Sequence, residues 1–101
     1  MMERMYVVVH GALSAGLKAA QACHALTAFT FAHPQRTREW FDSSNHLVVL
    51  QSDGIDTLAE HLEKMGVVLV RFHEPDMGGA LTAFCTDNAA RRALRDLPLA
   101  H

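Results

Sequence analysis

The segment of residues 16–32 constrains the fold of this chain more than any other part of the sequence. It reads GLKAAQACHALTAFTFA, has no proline and carries only Lys18 as a formal charge. This composition favours a long helix. Ser14 is placed to cap its first turn, because a serine hydroxyl can accept a free N–H there. The helix is expected to end near His33, since a residue that precedes proline disfavours helical backbone.

Two faces of this helix differ in character. The face expected to pack on a sheet, because its side chains are small or apolar, comprises Ala19, Ala22, Cys23, Leu26 and Phe29. A second face comprises Leu17, Gln21, His24 and Ala28, with Lys18 at its margin. The direction in which these polar side chains point decides what the helix can do.

Apolar runs and turn residues divide the rest of the chain. Runs rich in β-branched residues predict buried strands at residues 5–10, 46–51, 67–72 and 81–86. Helices are predicted at residues 35–41, 55–65 and 88–97. Gly66 is the expected C-terminal cap of the second of these helices, and Asp87 the expected N-terminal cap of the third. Trp40 and Phe41 are expected to close an edge of the core.

The resulting order is β-α-α-β-α-β-β-α, which implies crossovers, a mostly parallel sheet and helices on both faces. The short loop between the third and fourth strands implies one antiparallel pairing. We therefore predict a single α/β domain over residues 1–101, a three-layer sandwich with a four-stranded mixed sheet. Ligands favour the carboxyl ends of such strands, where residues 11–16 and 73–79 should meet the start of the long helix.

The composition excludes several classes of protein. A hydrophobic content of 50% with 20% charged residues is typical of a folded globule and not of a disordered chain. No run reaches the ~20 apolar residues of a membrane span, and charges before a very short apolar run argue against a signal peptide. Cys23 and Cys85 lie in apolar surroundings, which predicts two buried thiols in a reducing cytosol.

A net charge of −2 provides no overall basic field, so binding to a nucleic acid would need a local patch. The candidates for phosphate contacts are Lys18, Arg36, Arg38, Arg71, Arg91, Arg92 and Arg95. The seven histidines show no HxxH or HExxH spacing, and there is no CxxC, GxSxG, GxGxxG or Walker pattern. We expect neither a metal nor a nucleotide cofactor.

Three segments resemble the type 2 peptidyl-tRNA hydrolases, small cytosolic enzymes that cleave the ester joining a peptide to tRNA. Residues 16–25, GLKAAQACHA, are similar to the start of the family's first helix. Residues 38–40, REW, precede an apolar strand as in the family, and residues 72–83 combine an acidic residue, a glycine-containing loop and a strand headed by Thr82. The Glu-Pro-Asp-x-Gly form is closer to a shortened branch found in bacteria and their phages.

The resemblance implies cofactor-independent hydrolysis by a water that a carboxylate activates, in a cytoplasmic homodimer. Glu74 falls at the family's catalytic aspartate, Leu17 falls at its lysine, and the loop that holds its threonine is shorter here. The expected catalytic residues are Glu74, Asp76, Lys18 and Thr82. The expected substrate-binding residues are Gln21, His24, Gly16, Gly78 and Gly79, the last two as main-chain donors to an oxyanion.

Each of these residues also has a purely structural interpretation. Glu74 and Asp76 could form a solvated turn, and Lys18 could be an ordinary surface lysine. His24 could be a core histidine or a subunit contact, Gln21 could bond a loop, and Trp40 could be core instead of a base-stacking residue. For the whole protein, the alternatives are an impaired or inactive member of the same fold that binds tRNA or a protein partner, and a structural or oligomerising module.

Overall fold

The computed structural model describes residues 3–101. Its elements are β1 (Arg4–His10), α1 (Ala15–Ala32), α2 (Pro34–Asp42), β2 (His46–Ser52), α3 (Ile55–Lys64), β3 (Leu69–Glu74), β4 (Ala80–Thr86) and α4 (Arg91–Leu94). Single 3-10 turns occupy residues 75–77 and 88–90. The predicted order of strands and helices is confirmed. No helix within the described residues is long and apolar enough to cross a membrane.

The four strands form one mixed sheet in the order β2-β1-β4-β3. β1 pairs with β2 in parallel, and β4 is antiparallel to both β1 and β3. The antiparallel pairing predicted between the third and fourth strands is confirmed. The expectation that the sheet is mostly parallel is wrong for its pairings, because β4 inserts between β1 and β3 and makes two of the three pairings antiparallel. Since β1, β2 and β3 still run in the same direction, their carboxyl ends meet at one edge of the sheet. The start of α1 lies at this edge, as predicted.

Helices cover both faces of the sheet, which confirms the three-layer sandwich. The core on the α1 and α2 side includes Met5, Val7, Val9, Ala25, Phe29, Trp40, Ala83 and Cys85. The core on the α3 and α4 side includes Tyr6, Val8, Ile55, Leu62, Phe84 and Leu94. Trp40 is buried and donates its Nε1–H to the main-chain oxygen of His46, so it is not available to stack on a base. The prediction that Phe41 also closes an edge of the core is wrong, because its side chain is 59% exposed.

The long helix is rotated from the expected orientation. Ser14 caps it by accepting the N–H of Leu17, and His33 ends it, as predicted. Its buried residues, however, are Lys18, Gln21, Ala25 and Phe29. Ala19 and Cys23 are exposed, so the predictions that they pack on the sheet and that Cys23 is a buried thiol are wrong. The reason is that Lys18 and Gln21 both find hydrogen-bond partners beneath the helix, which makes their burial tolerable.

The boundaries of two elements differ from the sequence expectations by more than one residue. Gly66, with φ +81°, caps the end of α3 as predicted. The N–H of Val67 bonds to the main-chain oxygen of Leu62, so Val67 belongs to the end of the helix and β3 begins only at Leu69. Asp87 accepts the N–H of Ala89, but the final helix ends at Leu94 instead of residue 97. The chain beyond it is extended along the free edge of β2. There Gln51 donates its N–H to the oxygen of residue 98, and residue 100 donates to residue 49.

Candidate active site

A β-bulge in β4 directs Thr82 toward α1. In the pairing of β3 with β4, Phe72 lies opposite Ala83 and His73 lies opposite Leu81, so Thr82 is an extra residue without a partner. Leu81 belongs to the core on the α3 side, and Ala83 belongs to the core on the α1 side. Because the bulge interrupts the alternation of side chains, Thr82 and Ala83 both face α1. The bulge is thus the local feature that brings a hydroxyl beneath the helix.

Thr82 and Gln21 form a buried side-chain pair between β4 and α1. The Thr82 hydroxyl donates to Oε1 of Gln21 at 2.7 Å, and the two residues are 1% and 2% exposed. This bond orients the Gln21 amide, since its oxygen is occupied. Its nitrogen bonds to none of the described residues, and it is not among the fully enclosed polar atoms that lack a partner. The amide nitrogen is therefore an N–H donor whose orientation the bond to Thr82 fixes, on a side chain that is 2% exposed.

Glu74 is the last residue of β3 and is half-buried. Side chains alternate along β3, which places Glu74 on the same face as Phe72, the face that α1 covers. Its carboxylate forms no hydrogen bond or ion pair with any residue in the described part of the chain. An unpaired carboxylate at the carboxyl edge of the sheet can accept a proton from a water molecule. The solvated-turn interpretation fits Asp76 better, because that residue is exposed in the turn that follows.

His24 forms an aromatic stack on the same face. Its exposed imidazole lies on the Phe72 ring, with ring centroids 4.7 Å apart and planes inclined by 21°. His24 is thus neither a core histidine nor distant from the other candidates, because Phe72 precedes Glu74 by one alternation of the strand. Phe72 itself was not predicted as a site residue. An aromatic residue two positions before the candidate carboxylate was the only signal in the sequence.

Lys18 points away from the Gln21–Thr82 pair. Its Nζ donates to Oε1 of Gln51 on β2 at 2.9 Å and to the main-chain oxygen of His101 at 2.8 Å. The residue is 7% exposed, so the surface-lysine interpretation is wrong. The structure does not bring Lys18 together with Glu74, as a shared catalytic role requires. Leu17, the residue at the position of the family's lysine, is 45% exposed in the first turns of α1.

The glycines of the predicted site have mainly conformational roles. Gly78 and Gly79 have φ values of +66° and +78°, which side-chain-bearing residues rarely adopt. The N–H of Gly79 already donates to the main-chain oxygen of Glu74 at 2.9 Å. The expectation that this N–H is a free donor to an oxyanion is therefore wrong. Gly16 lies exposed in the first turn of α1, with open space around it.

The cationic side chains do not form a patch beside these residues. Three arginines are in ion pairs, namely Arg36 with Asp87, Arg38 with Asp42 and Arg71 with Glu63. The hydrogen bond and charge of Arg71 hold the pKa of the Glu63 carboxyl below its usual range. The remaining candidates, on or just after the helix that covers the opposite face of the sheet, are Arg91, Arg92 and Arg95. Among residues 3–101, no three His, Cys, Asp or Glu side chains are grouped as a metal site would require.

The comparisons with known proteins agree with this architecture. One solved structure, a protein of unknown function from Agrobacterium tumefaciens strain C58, superposes with a TM-score of 0.67 at 9% sequence identity, covering 100% of this chain and 99% of that one. At this identity the likeness establishes the fold alone. No curated protein matches the sequence. The family model described as peptidyl-tRNA hydrolase PTH2 matches residues 3–82, well over half of the chain. This chain therefore belongs to the PTH2 family of peptidyl-tRNA hydrolases.

Proposed function

We propose that this protein hydrolyses the ester bond between tRNA and a peptide or an N-blocked amino acid, without a cofactor. Membership of the PTH2 family supports the substrate and the type of bond. The observation that carries the proposal is the unpaired Glu74 carboxylate on the sheet face beneath α1, the helix that carries the oriented Gln21 amide. Ester hydrolysis requires a base for water and a donor for the oxyanion, and these two groups are of the right kinds.

In this mechanism Glu74 takes a proton from a water molecule as the water oxygen attacks the ester carbonyl carbon. The N–H of the Gln21 amide donates to the carbonyl oxygen, which becomes negative in the tetrahedral intermediate. The ester C–O bond then breaks, and the ribose oxygen that leaves takes the proton from Glu74. Thr82 is a positioning residue, because it acts by holding the Gln21 oxygen.

The His24–Phe72 stack supports a contact with the terminal nucleoside of tRNA. Exposed aromatic rings are platforms on which bases stack without regard to sequence, and the imidazole of His24 is exposed beside the proposed base. Lys18, Asp76, Gly78 and Gly79 take no chemical part in this scheme. The same proposal makes the protein a cytoplasmic component of translation. The homodimer implied by the family resemblance stays a prediction, which light scattering after gel filtration tests.

An assay of the purified protein on N-blocked aminoacyl-tRNA tests the mechanism. Glu74→Gln keeps the shape of the side chain and removes the base, so hydrolysis should slow by ~10²–10⁴-fold. Glu60→Gln, a matched change at an exposed position of α3, should leave the rate unchanged. Gln21→Met removes the amide donor and should cost ~10²–10³-fold in kcat. A Glu74→Gln protein as active as the parent refutes the mechanism.

A second function, binding of tRNA or a protein partner by an impaired or inactive member of the family, is favoured by one observation. The family's lysine position holds Leu17, and the neighbouring Lys18 is bonded to Gln51 and His101 instead. Turnover by the parent protein decides against this function. An inert parent that binds tRNA, and that gains turnover on Leu17→Lys, would establish it.

A further inference from the structure

The two outer strands of the sheet differ in what covers their free sides. β2 is bordered by residues 98–100, which exchange main-chain hydrogen bonds with Val49 and Gln51. β3 pairs with β4 on one side, and no segment in the described part of the chain pairs with its other side. The open edge of the sheet therefore belongs to the strand that ends in Glu74.

Two hydrogen bonds identify the main-chain groups that face this open edge. The main-chain oxygen of Val68 accepts the Thr86 hydroxyl at 2.6 Å, and that of Glu74 accepts the N–H of Gly79 at 2.9 Å. Both oxygens thus point toward β4 and the turn that leads into it. Successive residues of a strand direct their main-chain groups to opposite sides, and the bulge lies in β4 and not in β3. Every second residue of β3 therefore faces outward.

The outward-facing residues of β3 are Leu69, Arg71 and His73. No side chain or loop among residues 3–101 forms a hydrogen bond with their N–H and C=O groups. A row of unpaired main-chain donors and acceptors is a template for another extended chain, and proteins usually cover such an edge or keep it very short. An uncovered edge on the strand that carries the candidate base indicates a role in binding.

We propose that the peptide of peptidyl-tRNA binds along this open edge as an added strand, parallel to β3. The inference rests on the proposed ester hydrolysis, in which the ester lies beside Glu74 at the carboxyl end of β3. The ester is at the C-terminus of the peptide, so a peptide that follows β3 back toward Leu69 runs in the same direction as β3. Main-chain hydrogen bonds give an added strand its affinity. They do not depend on side chains, as a substrate class defined by its ester requires.

The length of β3 sets how much of the peptide can bind. Its six residues span ~17 Å at ~3.3 Å per residue. About five residues of the peptide therefore lie beside the edge when the ester is at Glu74. Residues further from the ester extend beyond Leu69, and a single N-blocked amino acid leaves most of the edge empty.

Hydrolysis of N-acetyl-oligoalanyl-tRNAs with one to eight alanines tests this reach. The value of kcat/KM should rise by about two- to tenfold for each main-chain hydrogen bond gained. The rise should level off at about five residues, where the peptide passes the start of β3. A profile that is flat from one alanine to eight would overturn the proposal.

A scan of N-methylated substrates tests the added strand with the parent protein alone. In a parallel pair of strands, alternate residues of one strand bond to the other. Five-alanine substrates with one methylated main-chain nitrogen should therefore lose activity at every second position and lose little at the positions between. Losses that do not alternate would contradict the added strand.

Arg71→Pro removes one outward N–H from β3, and proline is tolerated on edge strands. The ratio of kcat/KM for the five-alanine substrate to that for the one-alanine substrate should fall by about two- to tenfold. The variant also breaks the ion pair with Glu63. Glu63→Ala is therefore the matched control, because it breaks the same pair without changing β3, and it should keep the ratio of the parent. An unchanged ratio in a folded Arg71→Pro protein would count against the proposal.

Failure of this inference is distinguishable from failure of the proposed function. An absence of turnover on every substrate, N-acetylalanyl-tRNA included, would refute both. Turnover that does not depend on peptide length would refute the added strand alone. If such a protein is a dimer by light scattering and Arg71→Pro makes it a monomer, the open edge pairs with a second copy of the chain instead.

Discussion

The buried bond between Thr82 and Gln21 should appear as a strong coupling in stability. Thr82→Val removes the donor and leaves Oε1 of Gln21 enclosed without a partner, since the two residues are 1% and 2% exposed. An unsatisfied buried group costs ~1–3 kcal/mol. Gln21→Met leaves the Thr82 hydroxyl in the same position and should cost about as much by the same reasoning.

The double variant should be far less destabilised than the two costs added together. Replacing both partners by apolar groups of similar shape is close to neutral, because no polar atom is left unpaired. The coupling free energy should therefore be about 1–3 kcal/mol, within the range known for residues in direct contact. In a domain of this size, each kcal/mol lowers the Tm by ~4–8 °C.

Urea unfolding of the parent, the two single variants and the double variant measures this cycle. Equal m-values across the four proteins are needed, so that the midpoints report stability and not a change in the unfolded state. A coupling below ~0.5 kcal/mol, the scatter found for independent sites, would contradict the geometry of the pair. It would also remove the reason for regarding the Gln21 amide as oriented.

Three further predictions concern local features. Gly79→Ala should destabilise the protein by ~1–2 kcal/mol, because φ is +78° at this position. Gly16→Ala, at a helical position with open space around it, should leave the stability unchanged or raise it by up to ~1 kcal/mol, and thermal unfolding compares the two variants. Arg71→Leu should return the pKa of Glu63 upward to its ordinary value, so that Glu63 takes up its proton at higher pH than in the parent, as an NMR titration would record. Ser14→Ala should cost ~0.5–2 kcal/mol in urea unfolding through the loss of the helix cap; no change would mean that the 3.3 Å contact with the Leu17 N–H is not a bond.

The order of elements was predictable from the sequence because it depends on local patterns. Runs such as residues 46–51 and the cap residues Ser14 and Gly66 act within a few positions of the backbone they determine. The place of β4 in the sheet was not predictable in this way. A short loop between β3 and β4 indicates one neighbour of β4, but nothing local indicates that its other neighbour is β1.

The rotation of α1 and the fate of Lys18 depend on distant partners. From a helical pattern, lysine and glutamine are expected to face solvent. Their burial is tolerable here because they form hydrogen bonds with Gln51, Thr82 and the main-chain oxygen of residue 101. Which of the candidate site residues lie together was predictable only in part, because it depends on the same distant partners. Glu74, Gln21, His24 and Thr82 share the α1 side of the sheet. Lys18, one position away from the family's lysine, reaches β2 through Gln51, whereas Gln21 on the same buried face of α1 bonds to Thr82 of β4.

The position of β1 in the sheet has a consequence for how the chain folds during synthesis. β1 is made first, but one of its two neighbours, β4, is completed only at residue 86. A nascent chain that ends after β2 can pair one side of β1 and leaves the other side as an open edge of apolar backbone. Truncated products of that length should therefore associate with one another. The intact domain should fold more slowly than a helical protein of equal length, because its central pairing joins opposite ends of the chain.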